Sequence, residues 1–257
     1  MRIVDTHAHA GLEKYEPVES LVDQMFRNDV EKAVLVQHMG QYNNRYLIEC
    51  ARRFPGRFCV CVLVDVNRPD APERLREWAQ HPEVRGIRLR CDDRSPGDNP
   101  LALWETVDEL GLCVSLAGTL QGLAAPETAE LAQHFRRLKL VVEHLGHPSR
   151  DEAAPYPLYR RVLDLAQHPH VSMKISSLHT PSRTPWPHED ALPYVQMALQ
   201  AFGPERLMWA SDFPPVSGRE GYRNTLRFAL ERFPYRTEEE RAWVMGRTAL
   251  RIWFGEG

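Results

Sequence analysis

Two histidines near the start of the chain are the residues best suited to chemistry. His7 and His9 belong to the motif Asp5-Thr6-His7-Ala8-His9, which lies within a short strand-like run. Because alternate residues of a strand share a face, both imidazoles are expected to point together into the interior of the fold. Two neighbouring imidazoles at a strand end can bind a divalent metal ion or polarise a substrate oxygen. The alternative interpretation is a pair of core histidines with satisfied hydrogen bonds.

Two later segments supply possible partners for this pair. His144 follows the apolar residues Leu140–Val142, and Asp212 follows the apolar run Leu207–Ala210. A carboxylate can act as a general base, and an imidazole can stabilise developing negative charge. Asp212 could instead cap a turn, although the Phe-Pro-Pro that follows it is not a helix start. His144 could likewise be a packed strand histidine.

Three basic residues lie in strand-like runs. Because successive side chains of a strand point to opposite faces, their positions relative to the apolar residues predict that they point into the barrel. Arg88 and Arg90 alternate with apolar residues in Gly86–Arg90, and Lys174 lies between two apolar residues. The outer face of a parallel barrel packs against helices, so an outward charge would be buried there at high cost. Inward cations would suit a carboxylate-bearing substrate or balance the site carboxylate, and structural ion pairs are the alternative. The same parity predicts that Glu143 faces outward, where we assign it no role.

The elements that must position these residues alternate along the whole chain. The predicted strands are Ile3–His9, Ala33–Gln37, Phe58–Asp65, Gly86–Arg90, Cys113–Ala117, Leu140–Leu145, Val171–Ser176 and Leu207–Asp212. The predicted helices are Leu21–Arg27, Arg45–Arg53, Glu73–Ala79, Leu101–Leu110, Glu127–Leu138, Leu158–Ala166, Pro193–Phe202, Tyr222–Arg232 and a last helix over Glu238–Phe254. This pattern predicts an α/β fold of the (β/α)8 TIM-barrel type, a single domain over residues 1–257 with an extra C-terminal helix.

The barrel prediction explains how residues distant in sequence could form one site. The carboxyl ends of strands one, six and eight surround a single mouth in such a barrel. The longest irregular stretches, Asp92–Asn99 and His179–Pro187, follow the fourth and seventh strands and so lie on the same face. A doubly wound open sheet is the structural alternative, but the chain lacks the Gly-rich phosphate turn that usually accompanies that fold.

Composition restricts the classes of partner. The chain of 257 residues is 43% hydrophobic and carries a formal net charge of −3, which argues against nucleic acid or an anionic membrane as a partner. No apolar run approaches the roughly 18 residues of a membrane span, and the amino terminus does not resemble a signal peptide. Four of the five cysteines lie in or beside apolar runs, as packed thiols do. We expect a cytoplasmic protein, and a homo-oligomer remains open.

Together these motifs resemble the amidohydrolase superfamily, in particular its amidohydrolase 2 branch of TIM-barrel hydrolases. The resemblance covers nearly the whole chain and is carried by Asp5–His9, Ala33–Gln37, Asn43–Asn44, Pro55–Phe58, Gly86–Leu89, Glu143–Gly146, Met173–Ser176 and Glu205–Asp212. In metal-dependent members the ion is held by the first-strand histidines, a fifth-strand histidine and the eighth-strand aspartate. The resemblance therefore implies His7, His9 and Asp212 as metal ligands, with His144 beside the ion.

One departure from the family pattern affects the metal. The fifth strand, within Cys113–Gly118, contains no histidine. Three protein ligands can still hold a catalytic zinc ion. The pattern nevertheless looks more like the lactonases of the branch, some of which work without a metal. A divalent ion, Zn²⁺ or Mn²⁺, and metal-independent operation are both left open.

The leading hypothesis from the sequence is a hydrolase that opens a small lactone carrying a carboxylate. Asp212 would be the general base, and His7, His9 and His144 would stabilise the oxyanion directly or through the metal. Three cations, Arg88, Arg90 and Lys174, would orient the acid group of the substrate. The alternatives are a metal-dependent decarboxylase or amide hydrolase, and a catalytically inactive barrel that only binds a ligand.

Overall fold

Eight parallel strands form a sheet that curves into a barrel, in a computed structural model that describes residues 1–256. The strands are β1 Val4–Ala8, β2 Lys32–Val36, β3 Phe58–Val62, β4 Val84–Arg90, β5 Cys113–Ala117, β6 Lys139–Val142, β7 Val171–Ile175 and β8 Leu207–Trp209. Each strand pairs with the next in sequence. The ends meet where the Asp212 N–H donates to the His7 carbonyl at 2.9 Å and the His9 N–H donates to the Phe213 carbonyl at 2.8 Å. This order confirms the predicted (β/α)8 TIM barrel.

Helices surround the barrel and separate successive strands. They are α1 Val18–Arg27, α2 Arg45–Arg53, α3 Ala71–Ala79, α4 Ala102–Leu110, α5 Leu120–Leu123, α6 Pro126–His134, α7 Pro157–Leu163, α8 Leu192–Phe202, α9 Tyr222–Arg232 and α10 Glu238–Ala242. Two of them, α2 and α9, have the predicted bounds. Within the part of the chain that the structure describes, no helix has both the length and the apolar character that crossing a bilayer requires.

The last predicted helix is present, but it is not a regular α-helix throughout. After α10 the chain continues with wider, π-helical turns over Trp243–Arg247 and Leu250–Phe254. We call the stretch Glu238–Phe254 the closing segment. It brings Trp253, which is almost fully buried, against the apolar residues that face the barrel axis.

Apolar side chains of the strands divide between two clusters by their parity. Residues facing the helices form the main core, whereas a smaller axial cluster includes Val34, Val36, Cys59, Cys61 and Trp253. Gly86 in β4 makes room for the closing segment, because a Cβ atom there would lie 2.7 Å from the Trp253 ring and 2.6 Å from the Cys113 carbonyl oxygen. The amino-terminal end of the barrel is therefore filled, and the polar axial residues lie toward its opposite end.

Six strands end earlier than predicted, and in two of them the missing residues include a candidate site residue with a left-handed backbone. Strand β6 ends at Val142 rather than Leu145, and β8 ends at Trp209 rather than Asp212. The backbone then takes left-handed conformations, with φ of +49° at His144 and +59° at Asp212. Such conformations are unfavourable for residues other than glycine and often occur at functional sites.

Candidate active site

Four residues singled out from the sequence lie together at the carboxyl end of the barrel. The ring of His7 lies 4.8 Å from that of His9 and 4.6 Å from that of His144, between centroids. The Nε2 atom of His9 lies 3.9 Å from Oδ1 of Asp212. All four side chains are largely buried, so the groups face one another with little intervening solvent.

Local backbone features of β1 and β8 aim these side chains. The pairing of β1 with β2 shifts register between Asp5 and Ala8, so the strand is irregular there. The buried Asp5 carboxylate accepts hydrogen bonds from the Ser211 N–H at 2.9 Å and the Ser211 hydroxyl at 2.6 Å. Asp5 thus ties the end of β1 to the end of β8 and fixes Asp212 beside the histidines.

The prediction that Glu143 faces outward is wrong. Glu143 is fully buried inside the barrel, where Arg88 donates to both of its carboxylate oxygens at 2.7–3.2 Å. The parity argument assumed that the strand continued through His144. Because β6 ends at Val142 and the backbone turns at His144, Glu143 and His144 both face the interior.

Glu143 begins a chain of hydrogen bonds that reaches His7. The Ser115 hydroxyl donates to Oε1 of Glu143 at 2.6 Å, and Lys174 donates to Ser115 Oγ at 2.7 Å. The same Lys174 Nζ lies 3.2 Å from His7 Nδ1. Burial disfavours the Glu143 carboxylate, but Arg88 and Lys174 outweigh that effect and hold its pKa well below the usual value. Residues of β4, β5 and β7, together with Glu143 just after β6, therefore share one buried ionic network.

Two of the three predicted inward cations lie inside the barrel, and one does not. Arg88 and Lys174 are the cations of the buried network. Arg90, the last residue of β4, has a side chain that is 45% exposed, and it pairs with Asp92 instead. The parity argument does not hold at Arg90 because the strand ends there and the surroundings are aqueous.

The environment of each acid–base group shifts its pKa through burial. Burial raises the pKa of Asp212 to about 6, while the Ser177 hydroxyl and Arg219 oppose that rise. Burial lowers the pKa of His9 to about 3 and lowers those of His7 and His144 well below their usual value. Near neutral pH the histidines are therefore uncharged, and Asp212 can exchange a proton.

Sequence reasoning missed two residues that contact Asp212. The Ser177 hydroxyl donates to Oδ2 of Asp212 at 3.1 Å, and a guanidinium nitrogen of Arg219 lies 3.6 Å from the same atom. Ser177 also lies 3.2 Å from His144 Nδ1. Ser177 directly follows the β7 motif and could have been noticed there. Arg219 lies in a loop without periodicity, and no sequence signal identified it.

A divalent ion would find three suitably spaced ligand atoms here. One ligand atom each from His7, His144 and Asp212 lie within 4.8 Å of one another, whereas the sequence implied His9 in place of His144. The Nε2 atom of His7 is buried and has no hydrogen-bond partner among residues 1–256. The spacing therefore fits a metal, but the protonation of His7 does not. Because the Lys174 ammonium donates to Nδ1 of His7, the single proton of the neutral imidazole is on Nε2. A nitrogen that binds a metal ion must carry no proton.

A TIM barrel with a buried carboxylate of raised pKa among imidazoles at its carboxyl end has the features of a hydrolase. The model of the family described as Amidohydrolase matches residues 4–255, and the chain belongs to that family of hydrolases.

Two curated relatives are similar to the chain in sequence, and a solved structure shares its fold. The chain is 31% identical over 208 residues to L-fucono-1,5-lactonase from Burkholderia ambifaria, covering 76% of this chain and 69% of the relative. It is 24% identical to 4-sulfomuconolactone hydrolase from Hydrogenophaga intermedia, covering 77% of this chain and 65% of the relative, just under two thirds of its length. A crystal structure from Pseudomonas putida, assigned as a 2-pyrone-4,6-dicarboxylic acid hydrolase, shares the fold with a TM-score of 0.84 at 23% identity, covering 100% of this chain and 98% of that one.

Proposed function

We propose that the protein is a lactonase that opens a small lactone bearing an acid group, by direct attack of water. The observation that carries the proposal is the buried Asp212 carboxylate, with a pKa raised to about 6, beside three uncharged histidines. The names of two relatives describe lactone hydrolysis, and those of a relative and a structural neighbour describe acidic substrates.

In the proposed reaction Asp212 takes a proton from a water molecule as that water attacks the lactone carbonyl carbon. The bare Nε2 of His9, 3.9 Å from Asp212 Oδ1, can accept a hydrogen bond from the second proton of the water. The carbonyl oxygen becomes an oxyanion, which His7 stabilises through its Nε2–H and His144 from the adjacent position. The ring C–O bond then breaks, and the alkoxide recovers the proton from Asp212 to give a hydroxy acid.

Cations close to the site are the basis for proposing an anionic substrate. Inside the barrel two cations, Arg88 and Lys174, face the Glu143 carboxylate, and ionised Asp212 balances the second positive charge. Arg88 and Lys174 are already hydrogen-bonded to protein groups, so we propose that they act mainly through their field. Arg90 remains proposed as a contact for the acid group, from its exposed position at the end of β4.

Turnover of a lactone panel tests this function. Sugar-acid lactones and carboxylated lactones are offered to the wild type, to Asp212→Asn and to the control Asp98→Asn, which changes an exposed aspartate in a loop of the same face. Removal of a general base costs about 10²- to 10⁴-fold, so Asp212→Asn should lose at least a hundredfold and the control should retain full activity. Proton release in a weak buffer measures each rate. Equal rates in the two variants, or no turnover of any lactone by the wild type, would overturn the proposal.

The metal-dependent alternative is supported by one observation, the spacing of His7, His144 and Asp212. Decarboxylation or amide hydrolysis through a bound ion would require activity to follow metal content. Dialysis of the wild type against a chelator, followed by assays of lactone opening, of aromatic-acid decarboxylation and of amide hydrolysis, distinguishes the two. We expect lactone opening to survive complete removal of Zn²⁺ and Mn²⁺. Decarboxylation or amide hydrolysis that disappears with the metal and returns when metal is added would favour the alternative.

A further inference from the structure

Lys174 is a fully buried lysine whose partners determine where its protons point. Its Nζ lies 2.7 Å from Ser115 Oγ and 3.2 Å from His7 Nδ1, and it also lies 5.3 Å from the ring centroid of Trp253. A buried ammonium must direct its three protons at acceptors or at the face of an aromatic ring. These three groups meet that requirement, and the closing segment supplies one of them.

The direction of each hydrogen bond in this network follows from the number of protons available. A serine hydroxyl has one proton, and Ser115 donates it to the Glu143 carboxylate at 2.6 Å. Ser115 must therefore accept from Lys174. The ammonium has no lone pair, so it also donates to His7, and His7 Nδ1 is the bare nitrogen. A neutral imidazole carries one proton, which in His7 is then on Nε2.

His9 has the opposite arrangement. Its Nδ1 lies 2.6 Å from the carbonyl oxygen of Val36, which can only accept a hydrogen bond. The proton of His9 is therefore on Nδ1, and its Nε2 is bare. The two histidines of the first strand thus present one donor, on His7, and one acceptor, on His9, to whatever occupies the site.

We propose that Lys174 is a positioning residue that fixes His7 in the Nε2–H tautomer and thereby opposes metal binding at this site. To coordinate an ion through Nε2, His7 would have to move its proton to Nδ1, which would then face the Lys174 ammonium at 3.2 Å. The same tautomer makes His7 a hydrogen-bond donor to a substrate oxygen. That part of the inference rests on the proposed lactonase function, whereas the tautomer and the metal preference do not.

The tautomer is tested directly in the wild-type protein. Two-bond ¹⁵N–¹H correlation spectra of protein labelled in histidine, recorded near neutral pH, distinguish the protonated ring nitrogen from the bare one. The signals of His7 are those that disappear in His7→Gln. We expect the proton on Nε2 of His7 and on Nδ1 of His9. A proton on Nδ1 of His7 would overturn the inference without any variant of Lys174.

Metal affinity gives a second readout, independent of turnover. Titration with Co²⁺, followed by its visible absorption, is applied to the wild type, to Lys174→Met and to the matched variant Lys174→Arg. Methionine keeps the length and removes the donor, while arginine, like lysine, can only donate. In the wild type the metal must displace the hydrogen bond from the Lys174 ammonium to His7, and Lys174→Met no longer has that bond. Lys174→Met should therefore bind Co²⁺ about tenfold more tightly or better, whereas Lys174→Arg should bind as weakly as the wild type.

The results separate this inference from the proposed function. Equal Co²⁺ affinities in Lys174→Met and Lys174→Arg would overturn the role of Lys174, even if Asp212 proved essential for lactone opening. Conversely, a lactone panel without turnover would overturn the proposed function and leave the tautomer and the Co²⁺ affinities as measured. Should Lys174→Met fail to fold, the wild-type nitrogen spectra still decide the tautomer.

Discussion

A carboxylate that must remove a proton from water near neutral pH needs a pKa well above that of an exposed aspartate. Asp212 has this property because it is largely buried, and burial raises its pKa to about 6. The Ser177 hydroxyl and Arg219 stabilise the ionised form and limit that rise. The pKa of the proposed base therefore depends on a balance between desolvation and two neighbouring groups.

This balance predicts the pH dependence of turnover. A general base acts only when ionised, so kcat/KM should be half-maximal near pH 6 and fall about tenfold per pH unit well below it. Arg219→Gln removes a charge that lowers the pKa of Asp212, so the acidic limb should move to higher pH. The profile of kcat/KM against pH for both proteins measures the shift.

A distant arginine serves as the control for this experiment. Arg227 pairs with Glu231 on the exposed face of α9, and Arg227→Gln should leave the acidic limb where it is in the wild type. A limb that does not move in Arg219→Gln, or that moves equally in Arg227→Gln, would show that Arg219 does not set the pKa of the base.

At the scale of elements, the sequence was informative in the middle of each strand and poor at the ends. Short apolar runs identified all eight strands, and β5 was predicted with its observed bounds, because burial on both faces of a parallel strand requires such runs. The orientation of Glu143 was predicted wrongly, because the left-handed turn at His144 depends on tertiary contacts and not on local periodicity. The positions of Ser177 and Arg219 likewise follow from the closure of the barrel.

The closing segment provides a test at this scale. Gly246 lies in its first π-helical stretch, where an added Cβ atom would overlap the backbone carbonyl of Arg2, just before β1. Backbone cannot move aside as a flexible side chain can, so Gly246→Ala should lower the free energy of unfolding by about 1–3 kcal/mol. Unfolding in urea, followed by tryptophan fluorescence, measures the change.

The control replaces a glycine that has free space around it. A Cβ atom at Gly218 would meet no heavy atom within 4 Å, and Gly218→Ala should leave the urea midpoint nearly unchanged. Similar midpoints for the two variants would mean that the closing segment can shift away from β1 without cost.

At the scale of the whole molecule, the residues that stabilise the interior of the barrel also contact the candidate site. The closing segment places Trp253 beneath Lys174, and Lys174 is connected through Ser115 to Glu143 and Arg88. The axial apolar cluster at one end of the barrel thus packs against the buried ionic network, and Lys174 of that network contacts His7 toward the other end. Changes in the interior are therefore expected to affect the fold and the site together.

Within the buried ionic network, loss of the Glu143 carboxylate should lower the free energy of unfolding the most. Glu143→Gln would leave the buried cations Arg88 and Lys174 without their counter-charge, and breaking a buried ion pair in this way typically costs about 3–5 kcal/mol. The matched control is Glu109→Gln, which breaks the pair between Arg76 and Glu109 on the surface, where both side chains are well exposed and the solvent replaces the partner. Urea unfolding should show a large decrease for the first variant and a much smaller one for the second. Equal decreases would indicate that Arg88 and Lys174 find other partners, or lose their charge, when the carboxylate is removed.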